Sequence, residues 1–433
     1  MSSNTSTTQS DEASGSRLVY SGMLLPFVLI TACFALWGAA NNMTDLLVPA
    51  SQRVLSMSTF QSSFIQSAFY GAYFFMAIPA ALLIQKYSYK TGVIAGLCIY
   101  AFGAFLCYPA GQVISFGWFL VAFYVFASGC AILETVAAPY ILSMGSNATA
   151  TQRINLAQAF NPVGVLLGTY LGKEVILKGL DKADDAARAA MPVEKLTLLQ
   201  SQELSNVVLA YVIVGLVALA LAVTVFVVKF PKKSGDGFGS MKDTLFRLKT
   251  DKTWKMAVVA QFFYVGTQIG VFTYALLYVV AHHGGSLTEA RAAQYLIYAL
   301  IAYAAFRFIC TALMSYISAI KLLMIMSLIA MGLMAVAVFV GGIVGTYAVL
   351  AVYPCMSLMF PTIYGTGLSN IEGDDRKLGG AIIIMSIVGG AALVPIQALI
   401  IDNFNIATGF LMSFVGFAVV FVFSILARNA NPE

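Results

Sequence analysis

Residues 204–253 read LSNVVLAYVIVGLVALALAVTVFVVKFPKKSGDGFGSMKDTLFRLKTDKT, and the change of character inside this stretch sets the architecture. From Leu204 to Val228 there is no charge, and a membrane helix needs about 20 mainly apolar residues. From Pro231 to Thr253 the chain turns polar, basic and glycine-punctuated, with Lys232, Lys233, Gly235, Gly237, Gly239, Lys242, Arg247, Lys249 and Lys252. A membrane span thus runs into a hydrophilic linker near the middle of the chain.

Working outward, the same apolar runs recur on both sides. The predicted spans are 22–50, 60–85, 91–110, 115–144, 153–177 and 204–229 before the linker, and 254–282, 288–316, 320–341, 345–370, 378–401 and 405–427 after it. The expected fold is an all-α membrane protein of twelve transmembrane helices in two six-helix halves. Its predicted divisions are a disordered tail (1–21), an amino-terminal bundle (22–229), a linker (230–253), a carboxy-terminal bundle (254–427) and a short tail (428–433).

Composition agrees. The 433 residues are 60% hydrophobic and 10% charged, against roughly 25% charged in a soluble domain, so lipid is the solvent for most of the chain. The formal charge of +5 is not gathered into a basic stripe with aromatic residues interleaved, which argues against nucleic acid as a partner. Cys33, Cys98, Cys107, Cys130, Cys310 and Cys355 fall in apolar runs without CxxC or zinc-type spacing and read as small core residues. The Ser/Thr-rich start with Asp11 and Glu12 lacks the basic region of a cleaved signal, so an uncleaved first span is expected.

Lys and Arg favour cytoplasmic loops. Lys86, Lys90, Arg153, the linker, Lys321, Arg376, Lys377 and Arg428 share one side, whereas the loop from Lys178 to Glu203 balances its bases with Asp181, Asp184, Asp185 and Glu194. Both termini are expected in the cytoplasm. A parallel internal repeat is suggested by Ala80–Gly92 (AALLIQKYSYKTG) and Thr311–Leu323 (TALMSYISAIKLL), each an apolar stretch, an aromatic-bearing turn and a lysine opening the next helix. Gly164, Gly168 and Gly172, Gly92 and Gly96, and Gly341 and Gly345 stand four apart, a spacing that lets helix backbones approach closely.

Ionisable groups within spans are functional candidates. Asp45 follows Asn41 and Asn42 at helical spacing, so a carboxylate and two amides share one side, an arrangement able to clamp sugar hydroxyls. Glu134 has no base within a helical turn; an acid so placed can load and release a proton, or remain protonated as a hydrogen-bond donor. Asn155, Gln158 and Asn161 form one predicted polar stripe, and Gln261, Tyr264 and Gln268 a second; amides beside aromatic rings suit the hydroxyls and C–H faces of a pyranose. Arg307 lies well inside a span, where it either latches an inner gate through an acid or helix carbonyls, or snorkels. No HExxH, GxSxG or Walker pattern marks an enzyme, and no cofactor or metal is expected, the proton serving as the coupling ion.

The chain also resembles the fucose/glucose/galactose permeases of the major facilitator superfamily, over about 400 residues. The likeness is carried by WGAANNMTDLLVP (37–49), QSAFYGAY (66–73), ETVAAP (134–139), RINLAQAFN (153–161), AQFFYVGTQ (260–268) and FPTIY (360–364). It implies that Glu134 serves protonation and Asp45 couples proton to sugar, with Asn42, Gln158 and Asn161 facing the sugar. Gln268 resembles the fucose branch, whereas the glucose/galactose branch tends to carry an acid there. Phe272 stands where the fucose branch has Trp, Phe360 where it has Tyr, Pro162 where a small polar residue is usual, and Ser51 replaces an aromatic residue. These departures bear on which sugar is bound.

The expected function is proton-coupled import of L-fucose or a related hexose by a monomer in the lipid bilayer of a bacterial inner membrane. The alternatives are a sodium- or proton-coupled glucose/galactose carrier and a membrane sugar sensor that does not transport.

Overall fold

In hydrocarbon every backbone N–H and C=O must find its partner within the protein, which for spans of this length means helices. The structure, a computed structural model, is helical throughout its regular segments, with no strand among the described residues. It describes residues 18–54, 59–171, 174, 175, 188, 190–230, 241–282 and 289–430; the side chains of 41–54, 59–67, 241, 289–291, 293, 374 and 430 lie outside that description. The helices begin with α1 (Leu24–Val54), α2 (Thr59–Lys86), α3 (Tyr89–Val113), α4 (Phe116–Leu142), α5 (Ala150–Gln158), α6 (Asn161–Leu171), α7 (Val193–Val227) and α8 (Met241–Thr250). They continue with α9 (Lys252–His282), α10 (Glu289–Leu313), α11 (Ala319–Phe339), α12 (Gly342–Met356), α13 (Met359–Gly367), α14 (Gly373–Met385), α15 (Val388–Asn403), α16 (Ile406–Gly409) and α17 (Leu411–Ala430).

Among the described residues ten helical stretches are long and apolar enough to cross a membrane, and Leu24–Ala40 adds a shorter apolar one. The predicted span 153–177 departs from expectation. It is interrupted at Ala159 and Phe160, between α5 and α6. Pro162 is the cause: it has no N–H to offer the Gln158 carbonyl four residues back, and its ring crowds that oxygen. The predicted linker differs too, because its second part is the helix α8, with Leu248 buried and Phe246 exposed. Arg247 on α8 holds Asp375 at the start of α14 through two bonds of 2.6 Å, and Thr244 joins the same carboxylate at 2.9 Å.

Two compact units divide the chain, and they are not the two sequence halves. The amino-terminal unit comprises Gly22–Tyr140 and Phe160–Ser234; the carboxy-terminal unit comprises Met1–Ser21, Ile141–Ala159 and Gly235–Glu433. The segment 141–159, which includes α5, therefore belongs with the later helices, and α5 packs on α10 and α13.

In the amino-terminal unit α6 lies directly on the α1 backbone. A Cβ on Gly164 would collide with the Ala35 carbonyl, and one on Gly168 with the Ala39 carbonyl, as the four-apart spacing implies. Gly92 meets Ile84 and Val136, and Gly96 meets Leu133; Gly172 lies outside the described residues. Gly341 behaves differently from expectation: at φ +63° it forms the turn that opens α12, where a side chain is disfavoured, so only Gly345 of that pair packs, against the Tyr278 hydroxyl.

The two members of the suggested repeat share one local structure. Ser88 caps α3 by accepting from Thr91 N at 3.1 Å, and Ser318 caps α11 by accepting from Lys321 N at 3.4 Å. Folding exposes a second trace of the repeat: Ser146-Asn147 precedes Arg153 with the same spacing as Ser369-Asn370 precedes Arg376. Both arginines are buried. Arg153 donates to the carbonyls of Ile141 (2.6 Å), Leu142, Ser146 (3.2 Å) and Leu18 (2.8 Å) and to Thr149 Oγ1 (3.1 Å), whereas Arg376 donates to Ile371 O at 2.6 Å. The two loops also meet, with Asn147 Nδ2 donating to Glu372 Oε1 at 3.0 Å.

Candidate functional site

In the amino-terminal unit the site is built around one carboxyl group. Glu134 lies within α4, 2% exposed, and neither of its oxygens has a hydrogen-bond partner among the described residues. It lines a small cleft with Cys33, Phe34, Trp37, Leu133 and Ala137. The neighbouring polar groups are committed elsewhere: Trp37 Nε1 donates to the Tyr73 hydroxyl, and Tyr73 also meets the Cys130 thiol one turn before Glu134. An ionised carboxylate taken from water without a partner costs several kcal/mol. The group is thus held where a change of proton occupancy is easier than a lasting charge.

The backbones of Asn41, Asn42 and Asp45 continue α1; their side chains lie outside the described residues. Asn161, the first residue of α6, donates from Nδ2 to Phe34 O at 3.3 Å and stays partly exposed. Gln158, predicted on the same stripe, belongs to the other unit, because the break ahead of Pro162 separates the two. Asn155 on α5 donates to Thr362 Oγ1 at 3.1 Å and ties α5 to α13.

The carboxy-terminal unit shows how Arg307 tolerates burial. It is 4% exposed on α10; Nε donates to Ser357 O at 2.5 Å and Nη1 to Gln158 O at 2.9 Å. Both acceptors are carbonyls that a proline has released. Gln158 would be bonded by the amide of residue 162, which is Pro162, and Ser357 by that of residue 361, which is Pro361; the chain breaks its helix after each carbonyl-bearing turn. Among the described residues the hydrogen-bond partners of Arg307 are carbonyls, not an acid. Charge-assisted bonds of this kind are worth about 1.5–3 kcal/mol each, enough to offset much of the cost of burying the guanidinium.

The second predicted stripe divides by role. Gln261 is fully buried, and both its amide atoms lack partners among the described residues. Tyr264 spends its hydroxyl on Met356 O at 2.8 Å, which makes it a helix tie. Gln268 is half-buried and donates from Nε2 to the Tyr303 hydroxyl at 3.1 Å. Phe272 stands beside it, edge-on to Tyr303 at 5.9 Å and tilted against Tyr353 at 5.0 Å. Phe360, 7% exposed near the start of α13, is largely covered.

Sequence patterns do not single out Trp37, Tyr73 and Tyr303 as individual site residues. The spacing does carry a signal for Tyr303, which precedes Arg307 by one helical turn and so shares its face. Trp37 and Tyr73 carried no such signal, because their meeting depends on how α1 and α2 pack.

Comparison with known proteins matches residues 27–385 to the family described as Major Facilitator Superfamily. The L-fucose-proton symporter of Haemophilus influenzae is 39% identical over 388 residues, covering 88% of this chain and 90% of that one. The glucose/galactose transporter of Brucella abortus is 30% identical over 406 residues, covering 93% of each. The crystal structure of the transporter FucP in the outward conformation superposes with a TM-score of 0.87 at 35% identity, covering 93% of this chain and 99% of that one.

Proposed function

This chain belongs to the Major Facilitator Superfamily, and on that premise we propose that it is a proton-coupled symporter importing L-fucose, or a hexose close to it, by alternating access. The observation that carries the reading is Glu134, a buried carboxyl group with no partner among the described residues. The named activities of the relatives support the substrate class. Glu134 takes the proton, and Asp45 links that event to sugar held by Asn41, Asn42, Asn161, Gln268 and the rings beside them. Neutralising the acid removes the cost of enclosing a charge when the protein closes over its load. The docking of 141–159 onto α10 and α13, fastened by Arg307, is the closed inner gate of this cycle.

In this reading the two sequence halves, 22–229 and 254–427, are the rocking bodies, the termini face the cytoplasm of a bacterial inner membrane, and a monomer works without a cofactor. One charge crossing about 100 mV is worth about 2.3 kcal/mol, equivalent to an accumulation of about 50-fold. The glucose/galactose relative keeps a second sugar class in view. A panel of radiolabelled hexoses and deoxyhexoses in proteoliposomes under an imposed pH gradient decides both points. L-fucose uptake with alkalinisation of the outer medium, in the absence of sodium, is expected. Uptake that demands sodium removes the proton, a preference for glucose or galactose removes fucose, and saturable binding without counterflow removes transport.

A further inference from the structure

Three side chains of the carboxy-terminal unit form a line whose middle member, Tyr303, has no part in the proposed cycle. Gln268 on α9, partly open to its surroundings, donates from Nε2 to the hydroxyl of Tyr303 at 3.1 Å. The Tyr303 ring, on α10, lies under the Arg307 guanidinium, whose central carbon is 5.2 Å from the ring centroid. Arg307 in turn grips Gln158 O and Ser357 O, the carbonyls released by Pro162 and Pro361. One end of the line is a candidate sugar contact; the other fastens α5 to the later helices.

We propose that Tyr303 couples occupancy of the sugar site to the strength of the Arg307 latch. The proposal rests on the sugar-transport reading for its ligand. A sugar hydroxyl reaching Gln268 competes with the Tyr303 oxygen for the same amide hydrogen, because alcohol and phenol oxygens are acceptors of one kind. Once displaced, the ring keeps its edge contact with Phe272 but loses the bond that sets its angle beneath the guanidinium. The cation–π attraction then falls, and with the bonds to Ser357 O and Gln158 O it is one of three contacts that hold Arg307 in place. The ligand thereby loosens the inner segment only when it sits on Gln268, so an empty carrier keeps that side shut.

Hydrogen–deuterium exchange of residues 150–158, measured on the full purified protein with and without L-fucose, tests this. In the parent protein the sugar should speed exchange of this segment by about tenfold, between the effects of an exposed and a desolvated cation–π contact. Tyr303→Phe keeps the ring and removes the tether, so its sugar-free exchange should already match the sugar-bound parent, and L-fucose should add nothing. Gln268→Met cuts the same bond from the other side and should give the same sugar-free rate, with no further rise in the double variant. A Tyr303→Phe protein that starts at the parent's sugar-free rate, or responds to L-fucose as the parent does, overturns the coupling and leaves Tyr303 a packing residue. Calorimetric titration with L-fucose separates the two readings: absence of binding by the parent removes the substrate, while the sugar-free rates still decide the tether.

Discussion

Glu134 in the amino-terminal unit and Arg153 in the carboxy-terminal unit are enclosed to the same degree, 2% and 0% exposed, and are treated in opposite ways. Arg153 makes five hydrogen bonds, four of them to main-chain carbonyls at helix ends and turns; two of these, Ile141 O and Ser146 O, also accept from Met144 N and Thr149 Oγ1. Glu134 makes none with any described residue. A buried ion that satisfies its neighbours is structural, since its removal strands them; a carboxyl group left without partners has nothing to stabilise its charge, so it gives up a proton only when its surroundings change. On the function proposed above, the difference separates a group that holds the fold together from one that exchanges a proton.

The comparison breaks or sharpens most visibly at Glu134. Glu134→Gln should collapse proton-driven accumulation from about 50-fold at ~100 mV to near unity, with sugar counterflow retained and thermal stability at or above the parent. A clear loss of stability in that variant would show that the carboxylate has a structural partner after all. Arg153→Met should do the reverse. With the Leu18 and Leu142 carbonyls stranded, a loss of about 3 kcal/mol or more is expected, seen as a lower melting temperature and poor yield, and whatever protein folds should still couple proton to sugar.

The smallest effect is expected where the two classes meet. Pro162→Ala restores an N–H that can bond Gln158 O, so α5 and α6 should join and compete with Arg307 for that oxygen. Turnover should fall by about threefold, equivalent to ~0.7 kcal/mol, with sugar affinity unchanged; slower exchange at residues 159–163 is the check. Unchanged turnover with a repaired helix would mean that Arg307 does not depend on the released carbonyl.

Glu134 was legible because a lone acid in an apolar run stands out at the level of composition. Arg307 was equally conspicuous, yet its partners were not, because Pro162 and Pro361 are far apart in the chain and act on one guanidinium only after α5, α10 and α13 pack. The polar stripe Asn155–Gln158–Asn161 was overread: helical spacing was applied across a break that Pro162 itself signals. The reading of 230–253 as a hydrophilic linker missed α8, whose buried Leu248 and ion pair to Asp375 become meaningful only beside α14.

What the sequence determined alone is the solvent and the element. Long uncharged runs leave no option but helices in lipid, and burial in lipid singles out any ionisable group, since both facts depend only on local composition. The tertiary structure decided which of those groups are satisfied. Hydrogen bonds reach only about 3 Å, so whether a buried charge is held or left free depends on which distant carbonyls, rings and amides the packing brings within that range.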